Sequence, residues 1–317
     1  MGLIERSPFE QDCGAPLDPA KFKDPLVTAK GERRAHVRLN QLSTLWLNTG
    51  TLCNLACKTC YIESSPRNDS LVYLQLSEAE QYLEEASGLG TAEIGFTGGE
   101  PFMNPDIIAM LEASLNRGFN VLVLTNAMRP MRRFEDKLLQ IRRRFGSKLT
   151  VRVSVDHHIR EIHEAERGLR TWQKTVDGLC WLSSHGFALA VAGRALPGES
   201  EADARAGYEA LFRELRITVE AGLVIFPQMD ASADVPEITS DCWRILNVDP
   251  SSVMCASSRM VVKRKGAADP EVIACTLLPY DEGFSLGRTL QEASGDVSLN
   301  HPHCARFCVL GGASCSA

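Results

Sequence analysis

Three cysteines early in the chain have a spacing that suits a reactive iron-sulfur site. They are Cys53, Cys57 and Cys60, in the pattern C-x3-C-x2-C. Cysteine thiolates hold cuboidal iron-sulfur clusters, and a site with only three protein sulfurs leaves one iron free to bind a reactant. A structural zinc ion prefers four ligands, and the nearest histidine in sequence, His36, lies well before this loop. The spacing therefore predicts a cluster that takes part in chemistry.

A second motif follows the cysteines, and it consists of Gly98, Gly99, Glu100 and Pro101. The glycines allow the backbone to turn and to approach a ligand closely, and Glu100 brings a carboxylate to that edge. Together, in this order, the two motifs resemble the radical S-adenosylmethionine (SAM) superfamily. One position departs from the family pattern, because the residue before the third cysteine is often aromatic there and is Thr59 here.

The resemblance implies a [4Fe-4S] cluster on Cys53, Cys57 and Cys60, whose open iron is chelated by the amine and carboxylate of SAM. The glycine motif is then expected to contact the SAM amino group. One electron from the cluster would cleave SAM to methionine and a 5'-deoxyadenosyl radical, which abstracts hydrogen from a substrate. The protein would orient the substrate and exclude water and oxygen.

Polar residues after later strands are further candidates for SAM binding. Ser154 is expected to meet the carboxylate or ribose of SAM. Arg194 is shaped for a bidentate pair with the carboxylate, and Arg167 and Arg170 are its competitors. His157 and His158 have no assigned role, and His163 is expected on a helix surface.

From residue 43 onward, strand and helix patterns alternate. The strands are predicted at residues 44–48, 92–96, 120–124, 150–154, 188–192 and 218–226, and the helices at 77–87, 104–117, 131–144, 171–185 and 201–215. This order predicts parallel pairing and an α/β fold, a partial (β/α)6 TIM-like barrel with functional residues at the carboxyl ends of the strands. A doubly wound sheet would give a similar pattern.

The chain is divided here into an N-terminal arm at 1–40, the barrel at 41–249 and a small cysteine-rich extension at 250–317. The extension carries Cys255, a predicted hairpin of 259–263 with 271–274, and then Cys275, Cys304, Cys308 and Cys315. It resembles the Twitch and SPASM extensions of radical SAM enzymes, which hold auxiliary iron-sulfur clusters.

The resemblance implies one auxiliary [4Fe-4S] cluster, because the seven cysteines of a full SPASM set are not available. Its expected ligands are Cys255, Cys275 and Cys304, with Cys308 or Cys315 as the fourth. Zinc on the same residues is an alternative, since thiolates suit both, and His301 and His303 would then be possible ligands. Cys180 is expected to be a buried apolar residue, and Cys13 and Cys242 are unassigned.

Composition limits the other functions. The chain has 317 residues, eleven cysteines and a formal net charge of -6. The lack of a signal peptide or apolar span predicts a cytoplasmic protein with reduced thiols that does not enter a membrane. The net negative charge of the chain gives no general reason to expect binding to nucleic acid. The basic stretch 129–148 is interpreted as the solvated face of an amphipathic helix.

The predicted function is that of a radical SAM oxidoreductase acting on a small molecule or a peptide. A reducing donor such as flavodoxin or ferredoxin is its expected partner. Two alternatives stay open: transfer of another SAM fragment, and an iron-sulfur or zinc protein acting as a sensor or scaffold.

Overall fold

The chain folds around one mixed sheet, as seen in a computed structural model that describes residues 7–10, 15–227 and 233–312. Along the described residues, the strands are β1 (His36–Val37), β2 (Thr44–Asn48), β3 (Glu93–Thr97), β4 (Asn120–Thr125), β5 (Leu149–Ser154), β6 (Ala188–Arg194), β7 (Leu223–Phe226), β8 (Ser258–Val262), β9 (Glu271–Ile273), β10 (Ser285–Gly287) and β11 (Val297–Ser298). The spatial order in the sheet is β10-β9-β8-β2-β3-β4-β5-β6-β7. All neighbours from β8 to β7 are parallel, and β9 and β10 are antiparallel additions.

Helices cross from one strand of the barrel to the next. In the described residues they are α1 (Leu76–Gly88), α2 (Ile107–Asn116), α3 (Arg129–Arg132), α4 (Glu135–Phe145), α5 (Arg160–Arg167), α6 (Trp172–Ser184), α7 (Glu201–Leu215) and α8 (Cys242–Leu246), and a π-helix spans Cys304–Leu310. No helix in these ranges is both long and apolar enough to cross a membrane.

The alternation of side chains along the strands creates two separate apolar cores. In β2, Leu45 and Leu47 pack against the helices, whereas Trp46 points to the other face of the sheet. In β4, Val123 joins the helix side and Leu122 joins the core that contains the C-terminal region. The inner face of the sheet is therefore shared between the barrel and the C-terminal region.

The predicted fold class is confirmed: strands β2 to β7 are the six predicted parallel strands, in sequential order. Three details were wrong. Strand β7 begins at Leu223, because Gly222 has a φ of 101° and extended pairing starts only after it. The helix predicted at 131–144 is divided, because Phe134 leaves the helical conformation between α3 and α4. Helix α5 was not predicted.

The C-terminal region continues the barrel sheet. The predicted hairpin is present as β8 and β9, with Met260 opposite Ile273. Strand β8 also pairs in parallel with β2, so the sheet crosses the boundary predicted at residue 250. The arm joins the same region, since β1 pairs with β11 and the buried Arg34 is bonded to Glu237 at 2.5 Å. The division into domains stays a prediction.

Candidate active site

The three cysteines of the first motif lie in the loop after β2, at the carboxyl edge of the parallel sheet. Backbone amides support their sulfurs: the amide of Leu55 donates to Sγ of Cys53, and that of Ser64 to Sγ of Cys60, both at 3.4 Å. Burial raises the pKa of Cys53 to about 12 and that of Cys57 to about 11. Metal ligation must therefore displace protons from these thiols.

The glycine motif packs directly on the cysteine loop. Gly98 has a φ of 133°, in the left-handed region that favours glycine. The amide of Gly99 donates to the carbonyl of Gly50 at 2.8 Å, and a Cβ on Gly99 would lie 2.3 Å from the carbonyl oxygen of Leu52. The two sequence motifs are thus one structural unit, and the glycines are needed for contact between the loops.

Glu100 binds protein groups and does not line the cavity beside it. Its carboxylate accepts hydrogen bonds from Oγ1 of Thr125 at 2.8 Å and from the amides of Asn126 at 2.9 Å and Phe102 at 3.2 Å. Burial raises the pKa of Glu100 to about 7, although these hydrogen bonds oppose the change. The expectation that Glu100 presents a carboxylate at the ligand edge does not match this structure, where it ties the glycine motif to the end of β4.

A buried acid holds two arginines beside the cysteines. Asp156 accepts a hydrogen bond from Nε of Arg167 at 2.6 Å, and Nε of Arg194 lies 3.1 Å from its other oxygen. Burial alone would raise the pKa of Asp156, but the two guanidinium groups outweigh it and lower the pKa to about 2. The pair of arginines is therefore fixed in orientation by a charged carboxylate.

One cavity brings most of the predicted barrel residues together, and we call it the first cavity. With its open mouth included, its volume is about 1280 Å³. The predicted residues that line it are Cys53, Cys57, Cys60, Gly98, Gly99, Pro101, Ser154 and Arg194. Arg167 and Asp156 line it as well, whereas Arg170 is exposed beyond α5. Both Arg167 and Arg194 are thus placed to meet an anionic group.

Two neighbouring histidines near this cavity stack on each other, and one of them faces a carboxylate. His157 and His158 stack with ring centroids 4.1 Å apart, and Nε2 of His157 lies 3.4 Å from Glu199. The amide of Ile159 donates to Nδ1 of His157 at 3.0 Å, so the proton of the neutral ring is on Nε2 and faces Glu199. One possible ligand atom from each of His157, His158 and Glu199 lies within 4.8 Å of the other two, a spacing that a metal ion could use.

The expectation for His163 was wrong. It is fully buried on the inner side of α5 and packs edge-on against Trp172 at 5.3 Å. Burial lowers the pKa of His163 to about 3, so the ring is neutral near pH 7.

A second cavity lies in the C-terminal region and collects cysteines. With its open mouth included, its volume is about 370 Å³, and it is lined by Cys255, Cys275, Cys304 and Cys308 together with His303. The rest of its lining is apolar, including Met254, Leu278 and Phe284. Burial raises the pKa of Cys255 to about 11 and that of Cys304 to about 12. Cys315, the other candidate for the fourth ligand, lies outside the described residues, as does Cys13.

The two cavities have a wall in common. Leu277 lines both, and Phe307 lines the first cavity from the same π-helix that carries Cys304 and Cys308 into the second. Cys180 on α6 and Cys242 on α8 line neither cavity. Cys242 accepts instead a hydrogen bond from the amide of Thr239 at 3.3 Å.

Sequence reasoning missed Glu166, a buried carboxylate behind the cysteine loop. Its Oε1 accepts hydrogen bonds from the amide of Thr59 at 2.7 Å and from Oγ1 of Thr59 at 2.6 Å. A signal was present, since His163, Glu166 and Arg167 have the i, i+3, i+4 spacing of one helix face. A polar face on a helix beside the predicted site would have indicated buried polar contacts.

Comparison with known proteins identifies the family. A model described as the radical SAM superfamily matches residues 47–211, just over half of the chain. The chain belongs to the radical SAM superfamily. The match contains both motifs, and the cysteine-rich C-terminal region fits the Twitch and SPASM extensions found on radical SAM enzymes.

Individual relatives of this radical SAM chain are matched only over part of their length. The chain is 32% identical over 141 residues to the antilisterial bacteriocin subtilosin biosynthesis protein AlbA of Bacillus subtilis (strain 168), covering 44% of this chain and 30% of that protein. It is 34% identical over 76 residues to an S-adenosylmethionine-dependent nucleotide dehydratase of Selenomonas ruminantium, covering 23% of this chain and 26% of that protein. The match thus spans less than a third of either relative.

A solved structure supports the radical SAM fold. SuiB of Streptococcus suis, in a crystal structure bound to S-adenosylmethionine, is similar with a TM-score of 0.58 and 12% sequence identity. The similarity covers 78% of this chain and 63% of that chain. At this identity, the likeness concerns the fold.

Proposed function

We propose that the first cavity holds a [4Fe-4S] cluster on Cys53, Cys57 and Cys60 and binds SAM beside it. The observation that carries this proposal is the convergence of three thiols, a glycine motif and two fixed arginines on one cavity. The donor set fits the cofactor, because three thiolates leave one iron open for the amine and carboxylate of SAM. When bound, the cluster and SAM would supply reductive cleavage to methionine and a 5'-deoxyadenosyl radical.

The residues of the chain bind and orient SAM in this proposal. Arg167 and Arg194 attract its carboxylate, and Asp156 keeps both guanidinium groups in place so that little ordering is needed on binding. Ser154 offers a hydroxyl to the ribose or the carboxylate. Gly98 and Gly99 leave room for the amino group at the backbone. The apolar parts of the lining, such as Leu124 and Phe226, exclude water from the radical.

The second cavity is proposed to hold an auxiliary [4Fe-4S] cluster on Cys255, Cys275, Cys304 and Cys308. Thiolates that share one zinc ion lie about 3.8 Å apart, because each Zn–S bond is about 2.3 Å long. In the described residues, these cysteines do not form a group of three whose sulfurs lie within 4.8 Å of one another. Zinc on the same residues stays the alternative, since thiolates suit both.

The proposed reaction is hydrogen abstraction from a peptide or a small molecule. A relative named for the biosynthesis of a bacteriocin favours a peptide, and one named a nucleotide dehydratase favours a small molecule. The auxiliary cluster would accept the electron left after radical formation or bind the substrate. A reducing protein such as flavodoxin or ferredoxin is the proposed electron donor.

The test is anaerobic reconstitution of the full chain with iron and sulfide, followed by incubation with dithionite and SAM. We expect 5'-deoxyadenosine in the wild-type reaction and none with Cys57→Ala, because two thiolates do not hold the cluster in place. The matched control is Cys180→Ala, a partly buried cysteine that lines neither cavity, and it should retain the wild-type yield.

Other products would overturn this proposal. Formation of a different SAM fragment would support the transferase alternative. A wild-type protein that binds iron but leaves SAM intact would support the sensor or scaffold alternative. Equal deoxyadenosine from Cys57→Ala and the wild type would exclude the assigned cluster site.

A further inference from the structure

Glu166 lies where the cysteine loop, the arm and helix α5 meet. Its side chain is 1% exposed. The backbone carbonyl of Glu166 accepts a hydrogen bond from the amide of Lys58 at 3.1 Å, in addition to the two bonds from Thr59 to its side chain. The segment between Cys57 and Cys60 is therefore bound to α5 at three points, and a movement of Thr59 must move the adjacent Cys60.

The hydroxyl of Thr59 has a fixed direction. It lies between Oε1 of Glu166 and Nη1 of Arg194, and it is hydrogen bonded to both. An ionised carboxylate only accepts hydrogen bonds and a guanidinium only donates them, so the hydroxyl must donate to Glu166 and accept from Arg194. A phenylalanine at this position could not make either bond.

These contacts close a ring of side chains beside the cysteines. Side-chain contacts link Glu166 to Thr59, Thr59 to Arg194, Arg194 to Asp156, and Asp156 to Arg167. The backbone closes the ring, because Arg167 follows Glu166 directly on α5. Two acids and two arginines balance in charge, and hydrogen bonds to ionised groups are stronger than neutral ones. The ring couples the loop of the third cysteine to Arg167 and Arg194 in the first cavity.

The N-terminal arm covers this ring. Oγ of Ser7 donates to Oε2 of Glu166. The centre of the aromatic ring of Phe9 lies 5.4 Å from the guanidinium carbon of Arg194. Phe9 is 3% exposed. The arm therefore excludes water from the outer side of the Thr59–Arg194 contact, which strengthens hydrogen bonds there.

We propose that Thr59 and Glu166 are positioning residues that hold the third thiolate and Arg194 at a fixed relative placement. This rests on the proposed function, since Arg194 is taken to meet the SAM carboxylate. Loss of the Thr59 hydroxyl then weakens SAM binding and changes how SAM perturbs the cluster, while the cluster itself stays bound.

The test compares Thr59→Val, which keeps the shape but removes the hydroxyl, with Thr59→Ser, which keeps the hydroxyl. The measurements on the reconstituted full chain are iron content, the dissociation constant of SAM and the electron paramagnetic resonance spectrum of the reduced cluster with and without SAM. For Thr59→Val we expect wild-type iron, SAM binding weakened about ten-fold and a smaller spectral change on adding SAM. Thr59→Ser should restore SAM binding to within about two-fold of the wild type.

A second pair tests the carboxylate. Glu166→Gln removes the charge from the ring, and Glu161→Gln removes an exposed charge from the same helix. We expect weaker SAM binding and an altered SAM-dependent spectrum only for Glu166→Gln. Wild-type SAM binding and spectra in both Thr59→Val and Glu166→Gln would overturn the inference, as would equal effects of Glu166→Gln and Glu161→Gln.

Failure of the proposed function gives a different result. In that case the wild type itself shows no spectral response to SAM. The spectrum of the reduced cluster without SAM then tests the positioning role of Thr59. A spectrum that changes in Thr59→Val and is restored in Thr59→Ser supports that role. Unchanged spectra in both variants contradict it.

Discussion

The first and second cavities collect cysteines in different surroundings. The first cavity combines three cysteines with three arginines and an aspartate, and it has about 1280 Å³ of space with its mouth included. The second places four cysteines among apolar side chains in about 370 Å³. Spare volume and fixed charges suit a cluster that must bind a charged ligand, whereas the lining of the second cavity has four thiols and no arginine or carboxylate for such a ligand.

The two cavities also differ in how the chain builds them. The first is formed by loops that follow successive parallel strands, so each loop adds a residue to one edge of the sheet. The second is formed within the C-terminal region, with Cys255 just before β8, Cys275 just after β9 and two cysteines on the π-helix. The barrel strands thus position the first cavity, and the C-terminal region positions the second.

Removal of a tail cysteine is the strongest way to separate the two cavities. Cys304→Ala should reduce the iron content of the reconstituted protein by about half, because each cluster carries four irons. The magnetic resonance signal that responds to SAM should persist, since Cys304 does not line the first cavity. Iron and sulfide are measured on the same sample as the spectrum.

The opposite result would break the comparison. If Cys304→Ala loses the SAM response together with its iron, the cavities depend on each other through the wall that contains Leu277. If zinc is lost and iron is unchanged, the tail holds the zinc alternative. Cys180→Ala is again the control and should keep all its metal.

The sequence predicted the barrel site better than the tail. The strand-to-loop rule placed Cys53, Gly98, Ser154 and Arg194 at one edge, because the carboxyl ends of parallel strands meet there, and the structure groups them in this way. For the tail, the sequence named Cys255, Cys275 and Cys304 as ligands but left the fourth open between Cys308 and Cys315. That choice depends on the unusual π-helix, which brings Cys304 and Cys308 to the same cavity as Cys255 and Cys275.

Other features were beyond sequence reasoning because they depend on tertiary contacts. The orientation of Glu100 follows from three donors, of which Thr125 ends β4 and Asn126 directly follows it. The burial of His163 follows from the packing of α5 against Trp172, and that helix was not predicted. Local patterns give the type of residue at an edge, but the direction of a side chain is decided by partners distant in sequence.

A glycine substitution should disturb the first cavity and leave the second intact. In Gly99→Ala, the new Cβ would meet the backbone carbonyl of Leu52 at 2.3 Å, and the two loops must separate. We expect the free energy of unfolding to fall by about 2–4 kcal/mol. The reconstituted variant should lose the iron of the first site and keep that of the tail.

The matched control is Gly88→Ala at the end of α1, where a Cβ meets nothing within 4 Å. Alanine is favoured over glycine in a helix by up to about 1 kcal/mol, so this variant should be as stable as the wild type or slightly more so. Chemical denaturation of the iron-free proteins measures both. Equal stability of the two variants would contradict the close approach of the loops.

The pH dependence of stability also distinguishes the cavities, because their titrating groups differ. The pKa of Glu100 is raised by burial from 4.5 to about 7 in the folded chain, so the folded state holds a proton there that the unfolded state has lost. Stability therefore falls as pH rises from 4.5 to 7, by at most about 1.4 kcal/mol per pH unit. Asp156, with a pKa lowered to about 2, acts only below pH 4 and in the opposite direction.

Glu100→Gln should reduce this slope, because the amide does not titrate. The measurement is the free energy of unfolding of iron-free protein from pH 4.5 to 7.5, compared between variant and wild type so that the histidines, common to both, cancel. The thiols of Cys255 and Cys304, with pKa values raised to about 11 and 12 by burial, contribute nothing in this range. An unchanged slope would mean that Glu100 is already ionised at pH 5 and that its carboxylate is less isolated from water than its contacts indicate.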